Sequence, residues 1–254
     1  MSRFTDFLDN IFFPNEFTCI CCDTELVTTS KLGYCASCAK HITPIQGDEQ
    51  CLKCGTYLPT MAEHCYNCQR TKRHFDICRA AVCYDGTATS TIFKLKSQGG
   101  GWIGKFFARA MYKKYLNELA YQDAEYSLEA DLVIPMPVHK KRLKELGHNH
   151  SADIAKHLAN LIGLPFCKNI LKKAKETPKQ ALTPSAKVRE KNLRNSFEVV
   201  DLLVVKGKTV LLVDDIITTG ATLSEAARTL RRAGAKRVVC MTYAATVNPM
   251  FKVE

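Results

Sequence analysis

The chain has 254 residues, 46% hydrophobic and 24% charged, which suits one large domain or two small ones and excludes a disordered tail, a collagen-like chain and a coiled coil. No apolar run approaches the ~20 residues of a membrane helix. Asp6, Asp9 and Glu16 break the short apolar start, so the expectation is a cytoplasmic protein without a signal peptide or membrane insertion. Cysteine and charge are unevenly spread: 11 of the 13 cysteines precede residue 84, residues 1–85 carry eight Lys and Arg against ten Asp and Glu, and the other 169 residues carry a net +13. Two compositions predict two modules, a cysteine-rich one over residues 1–75 and a basic one over residues 79–254.

The cysteine module comes first. Cys19 and Cys22, Cys35 and Cys38, Cys51 and Cys54, and Cys65 and Cys68 form four pairs of one spacing. A turn with two intervening residues aims two sulfurs at one ion, and a second such turn completes a tetrahedron. About two structural zinc ions follow, with the pairs taken either in sequence or interleaved; the spacing allows both. Cys21, His41, His64 and His74 are further candidate ligands. The competing readings are an iron–sulfur cluster and a disulfide scaffold, the latter needing an oxidising compartment. Cys78 and Cys83 read as buried or incidental. A small module with little apolar core gains its fold from the metal.

Next come apolar segments alternating with helical ones. Residues 79–84, 131–135, 209–213 and 237–244 read as strands; residues 88–119 around a glycine interruption, 150–161 and 222–233 read as helices. That order predicts an α/β domain with a parallel sheet flanked by helices. Residues 172–198 are polar, basic and proline-punctuated, and read as a long mobile loop of functional kind.

The sharpest motif is the apolar run 210–213 followed by Asp214 and Asp215, then Ile216, Ile217, Thr218, Thr219, Gly220, Ala221 and Thr222. Hydroxyls and backbone N–H groups of residues 218–222 can converge on one anion, helped by the positive end of the next helix. Adjacent carboxylates at the carboxyl end of a strand can accept hydrogen bonds from vicinal hydroxyls or hold Mg2+. Neither a Walker loop nor a Gly-x-Gly-x-x-Gly fingerprint is present.

This run resembles the 5-phosphoribosyl-1-pyrophosphate (PRPP) motif of type I phosphoribosyltransferases, and the chain as a whole resembles the ComF family. The tandem cysteines, Phe93-Lys94-Leu95-Lys96 before glycines, Ile134-Pro135-Met136-Pro137-Val138-His139 with Arg142-Leu143, and Gln180, Leu182, Arg189, Asn192 and Phe197 carry the resemblance. It implies a type I phosphoribosyltransferase-like parallel sheet behind a small four-cysteine zinc-ribbon-like module. It also implies PRPP binding with Mg2+ and, in several members, a role in natural transformation, with single-stranded DNA and other DNA-uptake or recombination proteins as partners. By the same resemblance, residues 218–222 hold the 5-phosphate, and Asp214 and Asp215 hold the ribose and are the catalytic candidates. Lys140, Lys141 and Arg142 are candidates for pyrophosphate, and Arg189 and Lys191, with Gln180, arrive on the mobile loop. One departure stands out: where the family has Arg-Gly-Phe-Asn-Gln, this chain has Leu146-Gly147-His148-Asn149-His150. The bland account of the two histidines is partly exposed polar residues at a helix start; the other is altered ligand handling.

Two functions follow. One is a nucleic-acid factor with a PRPP pocket, its strand-binding candidates being Lys94, Lys96, Lys105 and Arg109 near Phe93, Trp102 and Phe106. The other is a Mg-dependent phosphoribosyltransferase acting on an unidentified nucleobase or similar acceptor. Helices ordinarily carry lysines on solvated faces, so the charge alone does not choose.

Overall fold

The computed structural model describes residues 17–27, 30–47, 49–59, 62–97, 101–120, 126–175 and 193–247. Its centre is a parallel sheet of β1 (Ile77–Cys83), β2 (Leu132–Pro135), β5 (Thr209–Ile217) and β6 (Arg237–Ala245), in the spatial order β1-β6-β5-β2. All but a few residues of these strands are buried, which is why they read as continuous apolar runs rather than alternating ones. On one face lie α3 (Gly86–Ser97), α4 (Gly104–Leu119) and α6 (His150–Ile162), packed on Val133, Leu211, Val213 and Met241. On the other lies α8 (Ala221–Arg232), whose Leu223, Ala226, Ala227 and Leu230 cover Leu212, Val238 and Cys240.

Strand β5 is longer than the apolar run 209–213 implies. It continues to Ile217 because β6 stays paired with it as far as Ala245, so the acid pair lies within the strand, with Asp214 opposite Thr242. Between β2 and α6 a short helix, α5 (Lys140–Leu146), occupies what the sequence presents as loop. The ends of the basic segment 172–198 are also ordered: β3 (Leu171–Lys173) pairs antiparallel with β4 (Phe197–Val199), and α7 (Leu202–Val205) leads to β5. The interior of that segment, including Gln180, Arg189 and Lys191, lies outside the described residues.

The cysteine region forms two small loops, each with a one-turn helix, α1 (Ala36–Ala39) and α2 (Tyr66–Arg70). It covers the free edge of β1. The Ile45 N–H donates to the Ala81 carbonyl at 3.1 Å, the Cys83 N–H to Thr43 at 2.8 Å and the Cys78 N–H to Lys53 at 2.9 Å. An exposed strand edge invites pairing with other chains, and this padding removes it. A buried network fastens the join. Glu118 of α4 takes the Arg79 guanidinium at 2.6 Å, the Lys114 ammonium at 2.8 Å and the Gln50 amide at 3.0 Å, while Lys114 also donates to Ile45 and Arg79 to Leu52, each at 2.9 Å. With its charges paired inside the protein, Glu118 sits below the usual carboxylate range: burial opposes ionisation, and Arg79 and Lys114 outweigh it. Cys78 and Cys83 are buried in the core beside this join.

Candidate functional site

The cysteine knuckles pair sequentially. Cys19, Cys22, Cys35 and Cys38 form one group and Cys51, Cys54, Cys65 and Cys68 another, the sulfurs of each lying within 4.8 Å of one another. The interleaved arrangement is not what the structure holds, and neither Cys21 nor His41, His64 or His74 joins either group. The two groups repeat one backbone design. The Cys19 N–H donates to Thr24 at 2.8 Å and the Cys51 N–H to Thr56 at 2.9 Å; the Cys35 and Cys65 N–H groups donate to the sulfurs of Cys19 and Cys51, both at 3.3 Å. Asp23 in the first loop and Gly55 in the second take the left-handed conformation, at φ 61° and 68°. Only glycine fits the second, because a Cβ there would lie 2.6 Å from the Cys78 carbonyl oxygen. Sulfur–sulfur separations of 3.8 Å for Cys22–Cys35 and 3.6 Å for Cys54–Cys65 match the ~3.8 Å edge of a tetrahedron with ~2.3 Å zinc–sulfur bonds. All eight are free cysteines, so the donor set fits structural zinc.

The second site is a cleft of about 610 Å³ at the carboxyl ends of β2 and β5, where open α/β sheets bind ligands. Its walls include Asp214 and Asp215 of β5, Lys96 of α3, Arg142 of α5, Asn149, His150 and Ser151 at the start of α6, and Lys173 of β3. The Ser151 hydroxyl donates to Asp214 at 2.7 Å, and the Lys96 ammonium lies 2.5 Å from the Asp215 carboxylate. Asp214 keeps partial surface exposure, but its carboxyl lies in dense surroundings; burial first, then the charge of Asp215, raise it to about 7. Two oxygen-donor carboxylates side by side suit vicinal hydroxyls or a hard cation such as Mg2+.

Beyond the acids, residues 218–220 form a bend into α8. Gly220, at φ 72°, stands at the helix N-terminus and brings no side chain to cap it, while the Ala221 N–H makes a long 3.5 Å contact to the Thr219 hydroxyl. Thr218 is exposed, Thr219, Ala221 and Thr222 are partly so, and the positive end of a twelve-residue helix opens at this turn, six residues after Asp215 in the chain. Sequence reasoning missed a basic neighbour. A Cβ at Gly220 would lie 3.7 Å from the guanidinium carbon of Arg73, whose buried Nε has no hydrogen-bond partner, and the next residue's N–H donates to Ser224 of α8 at 3.0 Å. The only hint in the sequence is a short basic run, Arg70-x-Lys72-Arg73, just before β1.

Of the basic residues expected at pyrophosphate, Arg142 lines the cleft, whereas Lys140 and Lys141, at the exposed start of α5, do not. Among the strand-binding candidates, Lys96 belongs to the cleft and Lys94 is buried in an ion pair with Asp23 of the first cysteine loop. Lys105 and Arg109 lie over the Phe106 ring, at 5.1 and 5.3 Å. The four therefore stand in three different local settings. Of the two histidines, His148 is partly exposed, as the bland account has it, whereas His150 is 6% exposed, with burial foremost and the charge of His148 next in lowering its imidazole to about 4.

A parallel sheet with an acid pair on its penultimate strand, a glycine turn and a following helix defines a phosphoribosyltransferase-type domain, and residues 149–248 match the family model described as phosphoribosyl transferase domain. The chain is 33% identical over 230 residues to competence protein F of Haemophilus influenzae, covering 88% of this chain and 94% of the relative. It belongs to the competence protein F, or ComF, family. The DNA utilization protein YhgH of Salmonella typhimurium is 26% identical over 209 residues, 82% of this chain and 88% of the relative. The glutamine PRPP amidotransferase structure from B. subtilis is 28% identical, at a TM-score of 0.32, over 54% of this chain and 26% of that chain.

Proposed function

We propose that the chain binds PRPP with Mg2+ in the cleft and handles single-stranded DNA during DNA uptake, in the cytoplasm, with two structural zinc ions in its cysteine module. One observation carries the PRPP reading: the acid pair lines the same cleft as Lys96, Arg142 and Lys173, and the turn into α8 follows directly on the strand that carries the acids. That arrangement offers acceptors for a diol and cations for phosphates. In this reading Asp214 and Asp215 hold the ribose or Mg2+, residues 218–222 and Arg73 hold the 5-phosphate, and Arg142 and Lys173 face pyrophosphate. The DNA reading is supported by relatives named for competence and for DNA utilization and by the +13 charge beyond residue 85. No described helix is long and apolar enough to cross a membrane.

A second reading, Mg-dependent phosphoribosyl transfer, is favoured by Asp214. A carboxyl held near 7 can take a proton from an acceptor at neutral pH as the acceptor bonds to the ribose anomeric carbon and the bond from that carbon to pyrophosphate breaks. The tests are direct. Calorimetry with PRPP and Mg2+ should give saturable binding that Asp214→Asn with Asp215→Asn abolishes; no heat with the wild-type chain refutes the PRPP assignment. Fluorescence anisotropy of a labelled single strand, at two salt concentrations with and without PRPP, should show salt-sensitive binding that PRPP alters. Flat anisotropy at moderate salt removes the DNA reading. Pyrophosphate release with one member of a nucleobase panel would establish the transferase, and none across the panel would leave a binding protein.

A further inference from the structure

The departure from the family pattern at Leu146 to His150 builds something of its own. His148, His150 and Asp153 bring three ligand atoms within 4.8 Å of one another. His148 Nε2 and Asp153 Oδ2 are 3.6 Å apart, close to the ~3.3 Å edge of a tetrahedron with ~2.05 Å metal–nitrogen and metal–oxygen bonds. The two imidazoles meet edge to face, their centroids 4.3 Å apart. Four polar atoms of this group are buried without a hydrogen-bond partner: His148 Nε2, both ring nitrogens of His150, and Asp153 Oδ2. Buried polar atoms of this kind are costly, and one such atom from each of three neighbouring residues makes a donor set of metal-ligand type.

We propose that His148, His150 and Asp153 bind a divalent transition-metal ion of the zinc class in the wall of the cleft. Two imidazoles and one carboxylate are the donors of zinc and its first-row neighbours, whereas Mg2+ and Ca2+ take oxygen sets. Three protein ligands leave a fourth position open, as in zinc sites that handle substrate. The local backbone is fixed before any metal arrives. Asn149 donates to the Met136 carbonyl at 2.9 Å and accepts the Ser151 N–H at 3.1 Å, and Gly104 of α4 lets α6 approach until a Cβ there would sit 3.4 Å from that of Asp153. The N-terminus of α6 opposes a cation, and Asp153 in its first turn offsets this. Partial exposure of His148 and Asp153, at 28% and 36%, gives the ion a path in. His150 lines the cleft, so an ion here stands next to the proposed PRPP site and can take a phosphate oxygen in its open position. The site itself does not depend on that reading.

The test is metal stoichiometry of the full-length chain, dialysed at neutral pH against micromolar free Zn2+. The expected result is three equivalents per chain in the wild type and two in His148→Ala and in Asp153→Asn, with a cooperative thermal transition retained in both variants. Each variant should weaken the third equivalent by more than the roughly 10–100-fold that loss of an outer-shell partner costs. Two equivalents in the wild type, or three in both variants, overturns the site. Titration of the wild type with Co2+ decides the matter even where a variant fails to fold. A third equivalent with d–d bands and no thiolate charge transfer supports histidine and carboxylate ligation; charge-transfer absorption from the third equivalent overturns it.

Discussion

The cysteine region and the cleft are built in opposite ways. Each cysteine site takes all four sulfurs from one stretch of about twenty residues, and the same hydrogen bonds close both loops. The cleft takes its walls from α3, α5, β3, α6 and β5, whose residues run from Lys96 to Asp215. A site made from neighbours in the chain needs only the right spacing, whereas a site made from distant elements needs the whole fold first. The two are also coupled: the cysteine region pads the edge of β1, and its last residues bring Arg73 to the turn at Gly220.

The largest effect that probes this contrast is loss of a buried cysteine. Cys51 is 0% exposed and packs in the same core as α8, so Cys51→Ser should abolish the cooperative thermal transition. Cys22 is exposed, and Cys22→Ser should lower Tm while leaving PRPP binding intact. Equal losses in scanning calorimetry would mean that the two cysteine sites are equally structural. Next comes Arg73→Ala, which tests the coupling itself. Removing a charge-assisted contact to phosphate should weaken PRPP binding about ten- to hundredfold in calorimetry, with zinc content unchanged. Unaltered affinity would cut the link between the halves.

A smaller effect isolates Asp214 by pH. Its carboxyl is raised from 3.8 to about 7 in the folded chain, so between those values the native state binds the extra proton. Stability from this group is therefore full below about pH 4, falls as pH rises, and stays low above about pH 7. Asp214→Asn removes the loss. Its Tm relative to wild type should rise from acid to neutral pH in the absence of ligand, although PRPP binding falls. A Tm difference independent of pH would show that the carboxyl is not perturbed.

Much of this was legible in the residues. The four cysteine pairs, the strand–acid–glycine–helix run and the apolar strands appear where the pattern places them, because each is a local device: a two-residue spacing, a helix end, a buried run. The bounds of β5 were not legible, since its last four residues pair only because β6 extends beside them. Nor was the fate of the lysines. Lys94 and Lys96 share a helix and read alike, yet one is buried against Asp23 and the other reaches Asp215, a difference set by what packs on each side.

The chain's own order dictated two four-cysteine groups, a parallel sheet and the acid–glycine turn into α8, because spacing and hydrophobic period act over a few residues. Which bases face the cleft, and the burial of the His148, His150 and Asp153 group, depend on contacts between segments far apart in sequence. No local rule carries that information; it exists only once the helices have closed on the sheet.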